Sequence, residues 1–448
     1  SSKSQGTLMR ILSLTPGKGN YYSGAALRDH CLINALRRTG HEGQLVALGQ
    51  PPLLEYDDEG ADTPLFYDIL HVYRTEQKGL FGKLKTIYTK PSGAARAIER
   101  MTPTAYGQLL LSRLQAADGR QRKALQKLTD WLKSQAPDVI LVSDATWVGV
   151  GAHLKEALGV PVIVSLQGEN RVLNSLPNKV RDEVLQCARP AAAKVDAFIA
   201  PSRYHAAGMK ERLQLDDERV ALIPNGIALN EYSVAAAPPS RPALGFLGRL
   251  CDENGLENVI KAYKSLYKNG HDDLQLRLAG ALSRENLTYI AKLLRPLQQK
   301  YGKSIGILRN VPLERKITFL QGLSVMCTPS PDEAFGRFAI EAMAVGTPVV
   351  LPDRGAFPEL IETTGGGLLA ESDEPKALAR TINKLLKDAD KREVLGKAGR
   401  EAVLQHYSVE KMAGRVMELI EAQPGANGVP ADLRADNADT PAPGPAEG

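Results

Sequence analysis

Cysteine is scarce in this 448-residue chain. The four, Cys31, Cys187, Cys251 and Cys327, show no C-x-x-C and no Cys/His ligand spacing. That points away from a disulfide framework and from a zinc site, and towards reduced, mostly buried thiols. Aromatic residues make up only 5%, so no stacking platform for bases or sugars is evident. Charge of one sign is lacking as well: 56 basic against 51 acidic residues leave +5, too balanced to mark a nucleic-acid surface. No apolar run approaches the ~18 residues of a membrane span, and Ser1–Thr7 carries no apolar signal core. These absences lead to the expectation of a soluble, cytoplasmic protein with no nucleic-acid partner.

What is present is ample core material, 43% hydrophobic residues over a length of two or three domains. Short Val/Ile/Leu-rich runs alternate with longer helical patterns. In the first half the runs are 9–15, 44–48, 68–73, 138–143, 161–166, 196–200 and 219–223; in the second half they are 243–247, 274–279, 305–308, 323–327, 347–351 and 367–369. Fully apolar strands separated by helices predict parallel sheets covered on both faces, and thirteen strands predict two sheets rather than one. The break between them is expected at Ala235–Pro242, where Pro238 and Pro239 disfavour both helix and central strand. From Gln423 onward the chain has too few large apolar residues to offset its ordering entropy, which predicts a disordered tail over 423–448. Doubly wound sheets bind ligands beyond the carboxyl ends of their strands, so the chemistry is expected in loops that follow strands.

The most informative stretch is Thr328–Leu351, TPSPDEAFGRFAIEAMAVGTPVVL. A strand ends near Cys327, a Pro-containing loop follows, and a helix is expected from Phe335 or Gly336 to Gly346. The unpaired amides and dipole of its first turn form an anion site, and Gly336 removes bulk where a phosphate would approach the backbone. Glu333 precedes this helix and Glu341 lies inside it. The segment resembles the E-x7-E signature of the family 4 glycosyltransferases, enzymes of the GT-B fold. The resemblance implies that Glu341 holds the ribose of a nucleotide-sugar and that Glu333 meets hydroxyls of the transferred sugar. It also places the amides of Phe335, Gly336 and Arg337 near sugar and diphosphate. A carboxylate that merely favours the helix dipole, followed by an exposed helical Glu, fits the bare spacing too.

Other segments support the resemblance in the same order along the chain. Gly245–Glu257, GFLGRLCDENGLE, resembles the family's G-R-L-x-x-x-K-G pattern, whose Arg and Lys clamp the donor diphosphate. Arg249 matches, but Asn254 stands at the lysine position and brings no charge; Arg309 and Arg337 are candidates to compensate. Near the start, a strand runs into the Gly-rich loop PGKGNYYSG, where the family's glycine loop nominates Ser23 and Gly24; a tight strand-to-helix turn fits equally. The loop is not G-x-G-x-x-G, which disfavours a dehydrogenase. In Ser165–Asn170, SLQGEN, Gln167 replaces the histidine of many relatives, and Gln167 and Glu169 are candidates to line the acceptor side of the cleft. Ala200–Met209, Ile223–Tyr232 and Arg354–Leu369 complete the series. The resemblance thus implies Glu333, Arg249 and Gln167 at the reacting centre, with no bound metal and no cofactor besides the nucleotide-sugar substrate.

The resemblance is weakest between Pro51 and Asp138, in the half that binds the acceptor in this family. Between His71 and Gln135 thirteen basic residues face four acidic ones, a net +9. Leu80, Phe81, Leu84, Ile87 and Tyr88 recur there at helical spacing among four lysines. Residues 78–90 suit peripheral contact with an anionic membrane, at the inner face of the cell membrane; an ordinary helix with its apolar face in a core gives the same pattern.

Together these features predict an α/β chain with two Rossmann-like domains facing a cleft: residues 9–238 on the acceptor side, 239–405 on the nucleotide-sugar side, and a helix over 406–422 returning to the first. The implied activity is transfer of a sugar from a nucleoside-diphosphate-sugar to a hydroxyl acceptor (a glycan, lipid or small molecule) with retention of anomeric configuration. The alternatives are a nucleotide-sugar epimerase or hydrolase on the same fold, and a nucleotide-sugar-binding protein weakened by Asn254.

Overall fold

Ile11 of β1 (Arg10–Thr15) faces one apolar layer, and Leu12 and Leu14 face the opposite one. The same two-sided burial holds in β3 (Val139–Ser143), β4 (Val162–Ser165) and β5 (Ala197–Ala200). A strand apolar on both faces needs helices on both faces, and strands of that kind pair in parallel. With β2 (Glu42–Ala47) and β6 (Val220–Leu222) they form a six-stranded parallel sheet in the order β2-β1-β3-β4-β5-β6. The structure, a computed structural model, describes residues 8–16, 24–48, 101–282 and 286–423. Within that range the first sheet is covered by α1 (Gly24–Arg38), α2 (Pro103–Leu114), α3 (Arg122–Gln135), α4 (Val148–Leu158), α5 (Glu169–Ser175), α6 (Asn178–Lys194) and α7 (Arg203–Leu213).

The second sheet repeats the plan. Its strands are β7 (Ala243–Leu247), β8 (Gln275–Gly280), β9 (Ile305–Arg309), β10 (Val325–Met326), β11 (Val349–Pro352) and β12 (Gly367–Ala370), all parallel, in the order β12-β11-β10-β7-β8-β9. Its helices are α8 (Leu256–Lys268), α9 (Leu287–Tyr301), α10 (Leu313–Gln321), α11 (Arg337–Ala344), α12 (Phe357–Thr364), α13 (Pro375–Lys387) and α14 (Ala389–His406). Twelve of the thirteen strand segments expected from the sequence are strands here; the run at 68–73 lies outside the described residues.

The chain leaves β7 to one side for β8 and β9, and returns to the other side of β7 for β10. The loops after β7 and β10 therefore diverge at a topological switch point, where open α/β sheets form a crevice. Arg249 and Glu333 lie in those two loops.

The passage between domains differs from the expected one. Ile227 and Tyr232 already pack in the second domain's core, while residues 235–242 run mostly over the surface. Large apolar side chains, rather than the proline-rich stretch, set where the second domain begins. The return crossing lies beside the first: Ile227 N–H donates to Tyr407 O at 2.9 Å, and Val409 N–H donates to Ile227 O at 3.0 Å. The last helix, α15 (Val409–Glu421), then buries Met412, Val416 and Leu419 in the first domain's core with Ile11 and Leu32. All four cysteines are free thiols, three of them buried.

Candidate active site

Helix α11 starts at the mouth of the second domain's crevice. Gly336 caps it with φ +87°, a left-handed conformation that glycine adopts without strain. A Cβ there would come within 3.2 Å of Phe357 and 3.3 Å of Leu360. The glycine therefore already answers to backbone conformation and core packing. Glu333, half-buried, accepts a hydrogen bond from Gly336 N–H at 3.1 Å and so sits at the helix N-terminus. Phe335 packs its ring into the core against Tyr407, leaving its amide as the group that can serve a ligand.

Glu341 is the most heavily engaged carboxylate of the crevice. Its Oε1 accepts from Lys316 Nζ at 2.7 Å, from Arg337 Nε at 3.0 Å and from the Tyr232 hydroxyl at 3.2 Å. Its Oε2 accepts no hydrogen bond among the described residues. Lys316 and Glu341 are only 6% and 5% exposed, so this ion pair is shielded from water. Burial pushes the Glu341 carboxyl up, but the charges of Lys316 and Arg337 outweigh it and hold the group below its ordinary value. Two cations around one carboxylate leave the pocket with positive character. Arg337 engages Glu341 through its Nε.

The loop after β7 is closed from within. Asn254, buried in a short 3-10 turn (Asp252–Asn254), donates its side-chain N–H to Arg249 O at 3.0 Å. Its amide faces its own loop, so a lysine at this position reaches the cleft only by giving up that bond. Arg249 is exposed and forms no ion pair among the described residues. Arg309 is also exposed, at the end of β9, two strands from β7. Burial pushes the Cys251 thiol of the same loop up to about 12, so it stays protonated.

The first domain supplies the facing wall. Gln167 is half-exposed after β4, and its side-chain amide has no partner among the described residues. Glu169, expected to line the cleft, is instead buried beneath it. Its Oε2 accepts from the amides of Gln167 and Gly168, both at 2.9 Å, and lies 2.8 Å from His205 Nε2, while Oε1 accepts from Ala145 N–H at 2.8 Å. Burial raises this carboxyl, but the His205 contact and these amides hold it below its ordinary value. The physical reason for the correction is that a carboxylate with four donors is satisfied in the interior and has no need of solvent or substrate. Gly24 opens α1 and is exposed. Ser23, the basic segment 78–90 and residues 424–448 lie outside the described residues.

Three contacts bring the walls together. Arg171 Nη2 donates to Ser330 Oγ at 2.6 Å, and Ser202 Oγ donates to Ala334 O at 2.6 Å. Glu359 of α12 accepts from Arg203 N–H at 3.0 Å and Tyr204 N–H at 3.1 Å, capping the N-terminus of α7 across the domain boundary. Glu359→Gln keeps the shape and removes the charge, which should cost about 0.5–1 kcal/mol. Urea unfolding at low and high salt checks this, with the difference shrinking as salt rises.

Sequence reasoning did not find Lys316, Tyr232, Arg171, Ser330 or His205. Each acts on a partner 25 to 159 residues away in the chain, a separation that no local pattern records. Among the described residues no helix is long and apolar enough to cross a membrane.

Comparison with known proteins agrees with this geometry. Residues 23–226 match the family described as glycosyl transferase 4-like domain, and residues 232–402 match glycosyl transferases group 1. D-inositol 3-phosphate glycosyltransferase of Corynebacterium urealyticum is 26% identical over 257 residues, 53% of this chain and 59% of that protein. Alpha-maltose-1-phosphate synthase of Mycolicibacterium smegmatis is 27% identical over 256 residues, 52% of this chain and 64% of that protein. The chain thus spans about three-fifths of the length of these two relatives. Sucrose-phosphate synthase from Thermosynechococcus elongatus superposes with TM-score 0.68 at 19% identity, over 92% of this chain and 98% of that one. Anabaena HepE in complex with UDP and glucose gives 0.65 at 17% identity, over 92% and 100%. The fold is that of the GT-B glycosyltransferases, and with both family descriptions matched in order along its two domains, the chain belongs to the family 4 glycosyltransferases.

Proposed function

We propose that the protein transfers a sugar from a nucleoside-diphosphate-sugar to a hydroxyl acceptor with retention of anomeric configuration. The observation that carries this reading is the crevice at the β7/β10 switch point. There a helix N-terminus, Arg249 and a carboxylate with one unused oxygen, Glu341 Oε2, lie on the two diverging loops and the helix they lead into. The unused oxygen suits a ribose hydroxyl, Arg249 and the α11 amides suit a diphosphate, and Glu333 suits the hydroxyls of the sugar.

In the reaction the bond between the sugar's anomeric carbon and the diphosphate oxygen breaks, and a bond from that carbon to the acceptor oxygen forms on the same face. The acceptor's proton passes to the departing diphosphate. Negative charge grows on the leaving group, and fixed cations and amides stabilise it without having to reorganise. Gln167, on the facing wall, is positioned to contact the transferred sugar or the acceptor. In this reading the diphosphate is neutralised by side chains rather than by a bound metal ion, so a chelator leaves turnover unchanged.

The experiment is a thermal-shift screen of nucleoside diphosphates and their sugars, followed by product analysis with and without cell extract as acceptor source. UDP and UDP-glucose are sensible first probes, because Anabaena HepE has been crystallised with both. A glycosylated product that appears only with extract, bearing the donor's anomeric configuration, is the expected result. Free sugar or an epimerised donor without any acceptor would replace transfer with hydrolysis or epimerisation.

A further inference from the structure

Arg171 sits in α5, two residues after the buried carboxylate Glu169, and its guanidinium crosses the cleft to the loop that follows β10. Its side-chain partner there is a neutral hydroxyl, Ser330 Oγ at 2.6 Å, and among the described residues it forms no ion pair. A half-buried guanidinium with no carboxylate partner keeps its charge available to an anion. Ser330 lies three residues before Glu333, so Arg171 reaches the candidate donor crevice from the opposite wall.

The loop after β7 feels the same charge. Glu253 has its carboxyl held below its ordinary value by a hydrogen bond with the Cys251 thiol and by the charges of both Arg249 and Arg171. The two guanidiniums therefore bear on one place, where Glu253 is the acidic side chain. The other cations are accounted for differently. Lys316 and Arg337 are bound to Glu341, and Arg309 ends the edge strand of the sheet. Asn254 adds no charge, and its amide is turned into its own loop.

We infer that Arg171 is a second diphosphate-binding residue, supplying from the first domain the positive charge that the β7 loop lacks at Asn254. This rests on the donor reading of the crevice. It also gives donor binding a part in holding the domains together, because the two cations that grip the diphosphate belong to different domains. A ligand with two phosphates engages both guanidiniums, whereas a monophosphate engages fewer of these contacts.

The test is calorimetry on the full chain with UDP, GDP and ADP, and with the corresponding monophosphates. The proteins are wild type, Arg171→Met, Arg171→Lys and Ser330→Ala. For the diphosphate that binds best, Arg171→Met should weaken affinity roughly 10- to 100-fold, the scale of a charged hydrogen bond. The corresponding monophosphate should change by less than about threefold, and Arg171→Lys should restore part of the loss. Ser330→Ala removes the same interdomain hydrogen bond but leaves the charge, so it should keep diphosphate affinity within about twofold of wild type. Affinity in Arg171→Met should also fall less steeply with salt. Equal diphosphate affinity in Arg171→Met and wild type overturns the inference while the donor reading stands. Equal losses for mono- and diphosphate, or an equal loss in Ser330→Ala, assign Arg171 to domain packing and overturn it too. A wild type that binds no nucleoside diphosphate overturns the donor reading and this inference together.

Discussion

Replacing Glu341 by alanine lowers the stability of the second domain by about 3–5 kcal/mol, the cost of leaving a buried ion without its counter-charge. The side chain it abandons is Lys316, 6% exposed, with Arg337 close by. Without the carboxylate the two cations repel each other in a poorly hydrated pocket. The ribose role implied by the family resemblance accounts for lost nucleotide affinity alone; the loss of stability comes from Glu341 as counter-ion to Lys316. The two roles separate in a double variant. Lys316→Met with Glu341→Ala removes both members of the pair and should recover most of the lost stability. On the proposed donor reading, nucleoside-diphosphate affinity should stay about 10- to 100-fold below wild type, because the carboxylate assigned to the ribose is still missing.

Calorimetric melting measures the first quantity and titration the second. If Glu341→Ala melts like wild type, the buried pair contributes nothing; if the double variant regains affinity as well as stability, Glu341 is structural only. The pH dependence has a defined sign. The Glu341 carboxyl is held below its ordinary value of 4.5, so its contribution is present above that pH. It is lost as the pH falls through the lower folded-state value, and the gap between wild type and Glu341→Ala should close there.

Glu169→Ala is expected to be comparably severe and to abolish activity. It leaves the amides of Ala145, Gln167 and Gly168 and the Nε2 of His205 without their acceptor, all at buried or half-buried positions. Leaving one buried polar group unsatisfied costs about 1–3 kcal/mol, and the interior tolerates few of them. The first domain should lose at least about 3 kcal/mol, less than the sum of the four groups because water and local rearrangement recover part of it. The consequence for function follows from position. The Gln167–Gly168 turn faces the cleft, Arg171 lies two residues beyond Glu169, and both depend on this carboxylate for their placement. His205→Ala is the milder companion, since it removes one of the four partners and keeps the three amide bonds.

Thermal unfolding and donor titration on the two variants check this. A Glu169→Ala protein with wild-type stability would show that the turn holds itself. The Glu169 carboxyl is also held below its ordinary value of 4.5, so the wild-type advantage should be full above that pH and fade below it.

The two sheets were readable from the sequence because their strands are buried on both faces, and such strands must be nearly continuous apolar runs. AFIA of β5 and ALGFL of β7 carry that mark in their own residues. The site loops were readable for a related reason. A helix that begins at a glycine in the loop after a strand writes its start locally, and the resemblance to the E-x7-E signature then singled out Glu333 and Glu341 around Gly336. What local pattern cannot contain is which charge meets which. Lys316 looks like any helical lysine until α10 packs beside α11 and brings it to 2.7 Å from Glu341. Glu169 looks like an exposed loop acid until His205 and three amides converge on it. Asn254 reads as a defect in a phosphate clamp until its amide is seen closing the loop, with Arg171 reaching over from the other domain. Elements, parallel pairing and family were legible in advance because their marks lie in residues near one another in the chain. The electrostatic partners emerge with the folded chain, because desolvation and Coulomb attraction act through space between segments that folding alone brings together.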